Sequence, residues 1–176
     1  GEGAQAGRTA VFVRFTGCNL WSGKEKHRAS ALCKFCDTDF VGTNGINGGT
    51  YSAVDLVLKI NALWGELENK LIVFTGGEPM LQLDEGLIEE CKNNDFETAI
   101  ETNGTIPIDF DIDWICVSPK HGSELVVKHG NELKAVYPQE GQNLDNFLKL
   151  DFEHLYLQPM DGIDGKENTT KTIQYC

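Results

Sequence analysis

The stretch Leu71-Ile72-Val73-Phe74-Thr75-Gly76-Gly77-Glu78-Pro79 decides the architecture. Its apolar, mostly β-branched and aromatic opening reads as a buried strand. Two glycines then allow a tight turn, and Pro79 suits the first turn of a helix. Parallel α/β sheets hold their ligands at the carboxyl ends of the strands, so the Gly-Gly-Glu-Pro loop is a candidate binding element. As a strand-to-helix turn it has an equally ordinary structural explanation, and its neighbours must decide between the two.

Working outward, the same strand-then-loop unit recurs. Val11–Phe15 precedes Thr16-Gly17-Cys18, Thr98–Ile100 precedes Glu101-Thr102-Asn103-Gly104, and Trp114–Val117 precedes Ser118-Pro119-Lys120. Leu133–Val136 precedes Tyr137-Pro138, and Leu155–Leu157 precedes Gln158-Pro159-Met160-Asp161. Helices fit between several of these units. Ser52 with Asp55 forms a capping signal, after which Ala53, Leu56, Val57, Ile60, Leu63 and Trp64 make one apolar stripe. A second helix is predicted from about Asp84, carrying Leu87, Ile88 and Cys91, and a third around Asn143–Lys149. Strands alternating with helices imply an α/β fold with a mostly parallel sheet and right-handed crossovers. Six strands cannot close an eight-fold barrel, so the expectation is an open partial (β/α)6 barrel whose loops converge on one wide mouth. No repeat or linker divides the chain, and a single domain over residues 1–176 is expected.

The 27 acidic residues outnumber the 15 basic ones, and a formal charge of −12 repels nucleic acid. No run approaches the roughly 20 apolar residues of a membrane helix. The opening Gly1-Glu2-Gly3-Ala4-Gln5 lacks the pattern of a signal peptide, so a cytoplasmic location without a membrane partner is expected. The chain starts without Met and stops at Cys176 where a helical pattern begins, and we expect it to be truncated at both ends.

Six cysteines in a cytoplasmic setting argue for thiol chemistry rather than disulfides. Cys91 falls on the apolar side of a helix and Cys116 within an apolar strand, so both are expected to be buried packing residues. Cys176 is terminal. Cys18, Cys33 and Cys36 remain, spaced C-x14-C-x2-C. Three thiolates leave one iron of a 4Fe–4S cube open, and an open iron can chelate the amino and carboxylate groups of S-adenosylmethionine (SAM). On the cysteines alone, a Cys3His zinc site using His27 is an equal rival. The loops at neighbouring strand ends favour the cluster, because a zinc knuckle has no use for them. Glu101, Asn103 and Lys120 are further candidates, against the alternatives of loop satisfaction and surface charge.

Taken together, Gly17-Cys18-Asn19-Leu20, Cys33-x2-Cys36-Asp37-Thr38, Thr75-Gly76-Gly77-Glu78-Pro79, Glu101-Thr102-Asn103-Gly104, Ser118-Pro119-Lys120 and Gln158-Pro159-Met160-Asp161 resemble the 7-carboxy-7-deazaguanine synthases, radical SAM enzymes of the queuosine pathway. The chain is similar to those members that carry an inserted x14 loop in place of the commoner C-x3-C spacing. The resemblance implies conversion of 6-carboxy-5,6,7,8-tetrahydropterin to 7-carboxy-7-deazaguanine with loss of ammonia, using SAM, a 4Fe–4S cluster and Mg²⁺. It implies that Cys18, Cys33 and Cys36 hold the cluster and Thr38 ligates Mg²⁺. It places Phe35, Asp37, Gly77, Ser118, Pro119, Lys120, Gln158, Pro159, Met160 and Asp161 against SAM, and Gly1, Glu2, Arg14 and Thr75 against the pterin. It also implies a homodimer, an electron donor such as a flavodoxin, and further substrate-contacting segments beyond both ends. Two rivals stand beside this expectation. One is a radical SAM activating enzyme for a glycyl-radical protein, which shares the glycine-rich and Thr-Asn-Gly motifs, and the other is a zinc-binding module.

Overall fold

The computed structural model describes residues 3–176. Six strands form one sheet in simple chain order, and every neighbouring pair is parallel. They are β1 (Val11–Phe15), β2 (Leu71–Gly76), β3 (Glu97–Thr102), β4 (Trp114–Val117), β5 (His129–Tyr137) and β6 (Asp151–Pro159). Chain order with parallel pairing requires each connection to cross back over the sheet, and it brings all six carboxyl ends to one side. The sheet does not close: β1 and β6 are its edges.

Three α-helices lie among the described residues: α1 (Ala53–Trp64), α2 (Glu85–Asn93) and α3 (Gly165–Tyr175). The Ser52 hydroxyl caps α1 by accepting from Asp55 N at 3.2 Å, and Asp84 caps α2 by accepting from Leu87 N at 2.9 Å. Val57, Ile60 and Trp64 of α1 and Leu87, Ile88 and Cys91 of α2 pack with β2 and β3 into the main core. Cys91 is fully buried there, and burial pushes its thiol up to about 12.

The helical expectation around Asn143–Lys149 is corrected. Leu144–Lys149 is a 3₁₀ helix, with the Asn143 side chain accepting from Asp145 N, a short turn that buries only Leu144. The β3–β4 and β4–β5 connections hold no helix, so the helical cover is dense over β1–β3 and sparse beyond. A small second core of Leu133, Ala135 and Leu144 supports that region.

Side chains alternate along each strand, so register alone decides which of them share a face. Arg14 lies beside Thr75, Glu101 beside Cys116, and Cys116 beside Glu132. A polar row thus crosses the face opposite α1 and α2.

Candidate active site

Loops after β1 to β4 and β6, joined by inward side chains of the sheet that include Lys134 and Val136 of β5, wall a cavity of about 490 Å³. From the loop after β1 come Cys18, Cys33 and Cys36, with Phe35, Asp37 and Thr38 between and after them. β2 contributes Thr75, Gly76 and Gly77, while β3 contributes Glu101, Thr102 and Asn103. Ser118 and Lys120 follow β4, and Gln158, Pro159, Met160 and Asp161 close the far side. Pro119 is buried behind its neighbours, outside the cavity wall. Arg14 lines an adjacent recess under residues 39–51, yet its guanidinium acts electrostatically on Glu101. Gly1 and Glu2 lie outside the described residues.

Three thiols therefore open into one space. Cys33 is buried, with Cys36 beside it. The interaction between the two sulfurs holds Cys36 below the ordinary thiol range, while the same interaction and burial push Cys33 up. His27 is elsewhere: its Nδ1 pairs with Ser22 Oγ at 2.8 Å, and it lines a separate surface recess with Cys18. Among the described residues, no three Cys, His, Asp or Glu side chains gather around a single-ion position. A tetrahedral zinc would need its sulfurs roughly 3.8 Å apart, a spacing that follows from Zn–S bonds of about 2.3 Å. A cube of four irons spreads its thiolates more widely, so three sulfurs walling one cavity suit the larger group.

Local chemistry explains why these loops hold their places. A Cβ on Gly77 would land inside the Gly17 carbonyl, so only glycine lets the β2 loop lie against the loop that carries Cys18. Gly77 N donates to Phe15 O at 3.0 Å and Glu78 N to Gly17 O at 2.9 Å, stitching the two together. Glu78 is completely buried. Its carboxylate accepts from Thr102 Oγ1 at 2.7 Å, Asn103 N at 2.8 Å and Met80 N at 3.0 Å. Burial pushes that carboxyl up, and the three donors oppose the shift. Asn103 Nδ2 then donates to Asn19 Oδ1 at 2.9 Å, and Asn19 Nδ2 to Thr105 Oγ1 at 2.7 Å. The first thiol's loop, the glycine loop and the β3 loop become one hydrogen-bonded unit.

The opposite wall is cationic. Lys120 Nζ donates to Ser118 Oγ at 2.6 Å and Ser118 O at 2.8 Å and stands over the Phe35 ring. Burial pushes this ammonium below the usual lysine range, and the neighbouring Cys33 and Cys36 sulfurs oppose the shift. Lys134 lies 3.6 Å from Glu101 and is lowered to about 8 by burial. Thr75 Oγ1 donates to the other Glu101 oxygen at 3.3 Å. Burial pushes Glu101 up, Thr75, Arg14 and Lys120 oppose this, and Glu132 reinforces it.

Several of these residues were not singled out from the sequence. Lys134 and Glu132 sit in a strand read as an apolar run, and only the register shows them facing the cavity side. Cys116 is buried as expected, but it belongs to the cavity wall rather than to packing, its thiol 3.6 Å from Glu132 Oε1. Arg28, inside the x14 loop, donates from Nη1 to Lys34 O at 2.9 Å and Cys36 O at 3.0 Å while stacking on Trp21, so it clamps the C-x2-C turn. Asn168 of α3 donates to Met160 O at 2.9 Å and steadies the last loop.

An open, six-stranded parallel sheet whose carboxyl-end loops bring three cysteines and a Gly-Gly-Glu-Pro turn to one cavity has the fold of a radical SAM enzyme. A 7-carboxy-7-deazaguanine synthase from Burkholderia multivorans is 56% identical over 178 residues, covering 100% of this chain and 85% of that protein. The protein of the same name from Nitratidesulfovibrio vulgaris is 50% identical over 184 residues, with the same coverage of 100% and 85%. The crystal structure of QueE from Escherichia coli matches with a TM-score of 0.73 at 25% identity, covering 99% of this chain and 83% of that one. No family model matches the chain. The chain belongs to the 7-carboxy-7-deazaguanine synthase family.

Proposed function

We propose that this chain converts 6-carboxy-5,6,7,8-tetrahydropterin to 7-carboxy-7-deazaguanine with loss of ammonia, the reaction for which its relatives are named. The observation that carries the reading is the meeting of Cys18, Cys33 and Cys36 with the loops of β2, β3, β4 and β6 in one cavity, in a chain 56% identical to such a synthase. Cys18, Cys33 and Cys36 would hold a 4Fe–4S cluster with one iron left for SAM. Held there, such a cluster would supply the one-electron reduction of SAM from which radical abstraction of hydrogen from the pterin follows.

The chain's own residues bind and orient. Gly77 would let backbone approach the SAM amino group, and Lys120, aimed by Ser118, offers charge beside Phe35. Asp37, Gln158, Pro159, Met160 and Asp161 complete the assigned SAM surface, with Pro119 buried behind it. Arg14 offers a planar fork to the substrate carboxylate beside Thr75. Thr38, whose hydroxyl lies 3.4 Å from Asp37 Oδ1, is assigned to Mg²⁺, an ion that keeps most of its ligands from water and substrate. A homodimer, a cytoplasmic location and an external one-electron donor belong to the same reading.

Anaerobic reconstitution with iron and sulfide, followed by incubation with SAM, Mg²⁺ and the carboxypterin, tests it. Brown protein, 5′-deoxyadenosine, ammonia and the deazaguanine acid are expected. SAM cleavage without carboxypterin turnover would move the chain to another radical SAM reaction, and colourless zinc-loaded protein would overturn the reading.

A further inference from the structure

β5 carries a lysine where packing has no use for one. Leu133 and Ala135 turn into the small second core, so Lys134 between them faces the other side of the sheet and lines the cavity. It is buried, at 8% exposure, and its Nζ stands 3.6 Å from Glu101 Oε1. Thr75 Oγ1 holds the other oxygen of that carboxylate at 3.3 Å. Taking an ammonium out of water is costly, and an ion pair offsets that cost only in part. The groups facing this pair are Arg14 from β1, Cys116 from β4, Lys120 from the loop after β4, Glu132 from β5 and Tyr156 from β6. Glu132 is engaged elsewhere: Oε2 accepts from Ala4 N at 3.0 Å, and Oε1 lies 3.6 Å from Cys116 Sγ. Arg14 and Thr75 are the residues assigned to the pterin, so Lys134 and Glu101 border the place where the substrate would lie. The function proposed above gives neither of them a task.

We propose that Lys134 is a catalytic acid whose ammonium protonates the nitrogen that leaves the pterin as ammonia. The inference rests on the functional reading above and adds a residue to it. Loss of ammonia takes one nitrogen and three hydrogens from the substrate, with no net oxidation or reduction. The nitrogen cannot depart as an amide ion, because that anion is far too basic, so a proton must reach it as the C–N bond breaks. Lys134 Nζ gives that proton, and the bonding pair goes to the nitrogen. The hydrogen lost from the neighbouring ring atom passes as a proton to Glu101 as the new double bond forms. Protonated Glu101 then returns a proton to the neutral Lys134 amine, 3.6 Å away, and both recover their charges. Acid and base restore each other with no outside co-reactant. Burial suits both roles, since it lowers Lys134 to about 8 and pushes Glu101 up, which brings the two towards working pH.

The test is single-turnover ammonia release by the reconstituted enzyme with SAM, Mg²⁺ and carboxypterin deuterated at C6, for the parent, Lys134→Met and Lys134→Arg. Deuterium transfer to the 5′-deoxyadenosyl group reads the radical step in the same reaction. Arginine keeps a positive charge beside Glu101 but holds its proton throughout the working range. Both variants should stay brown, bind SAM and transfer deuterium, yet release ammonia about 100-fold more slowly than the parent. Release by the parent should fall as pH rises through about 8, where the Lys134 ammonium gives up its proton, and the residual rate of Lys134→Arg should lack that fall. Parent-like release from Lys134→Arg would overturn the proposal, because charge alone would then be enough. So would equal losses of deuterium transfer and ammonia release in both variants, which would assign Lys134 to substrate binding, or loss of colour in both, which would assign it to the fold. Should Lys134→Met alone lose its cluster, Lys134→Arg decides by the same readings. A parent that cleaves SAM without consuming the carboxypterin would overturn the functional reading and this inference together. A parent that turns it over no faster than its variants would overturn this inference alone.

Discussion

The two halves of the sheet are built differently. β1–β3 are covered by α1 and α2, and Leu71, Ile72 and Phe74 of β2 have no exposed surface. β4–β6 rest on the small core of Leu133, Ala135 and Leu144, and β6 alternates between exposed and half-buried along its length. The tightly packed half carries the three thiols and the Glu78 network, and the lightly packed half carries Ser118, Lys120 and the Gln158–Asp161 loop. A cluster demands fixed ligand geometry from distant parts of the chain, whereas a flexible nucleotide-like ligand needs a wall that can admit and release it. The division of packing follows that division of labour.

The sharpest way to break this comparison is to cut one ligand on each side. Cys33→Ala should abolish brown colour and SAM cleavage together. Gln158→Ala should keep the colour and weaken SAM binding by about tenfold, the effect of one good polar contact. Iron analysis and equilibrium binding read both, and loss of colour in the Gln158 variant would show that the halves do not separate. His27→Ala should retain metal and colour.

Thermal unfolding of the metal-free chain tests the packing itself. Phe74→Ala should cost roughly 3–5 kcal/mol and lower Tm by about 10 °C, with Leu144→Ala nearer 2 kcal/mol. Equal losses would mean that the second core is as firm as the first.

A finer contrast sets the two loop props against each other. Glu78→Ala leaves three donors without their acceptor and should cost roughly 3 kcal/mol, whereas Asn168→Ala removes one hydrogen bond and should cost about 1 kcal/mol. Denaturant midpoints of the two variants check the order. The smallest effect belongs to Thr38→Ala, which should keep cluster and SAM binding and shift only the dependence of turnover on Mg²⁺. Superimposable Mg²⁺ curves for parent and variant would remove Thr38 from the metal site.

Legibility followed packing. Val11–Phe15 and Trp114–Val117 match their strands end to end, because each is a short apolar run bounded by polar residues. β5 and β6 run His129–Tyr137 and Asp151–Pro159, beyond the apolar runs Leu133–Val136 and Leu155–Leu157, since the register also pairs polar residues such as His129 with Asp151 and Glu132 with His154, which no apolar run would reveal. The Asn143–Lys149 segment lacks the apolar stripe that would sustain an α-helix, and α3, rich in Thr and charge, has little stripe to read. The cavity's motif residues were legible because cysteines, paired glycines and Ser-Pro-Lys are uncommon at strand ends. Its inward charges were not: whether Lys134 points to solvent or toward Glu101 depends on a neighbour far away in sequence.

The seam between Gly17 and Gly77 bears on how the enzyme is assembled. The amides of Gly77 and Glu78 are bonded to the carbonyls of Phe15, at the end of β1, and Gly17, in the Cys18 loop, and the packed strands beneath them belong to the main core. In deuterated water these amides should exchange only when the whole domain opens, in the metal-free protein as much as in the loaded one. Iron and sulfide would then meet a prepared receptacle, and cofactor maturation becomes an insertion event rather than a folding event.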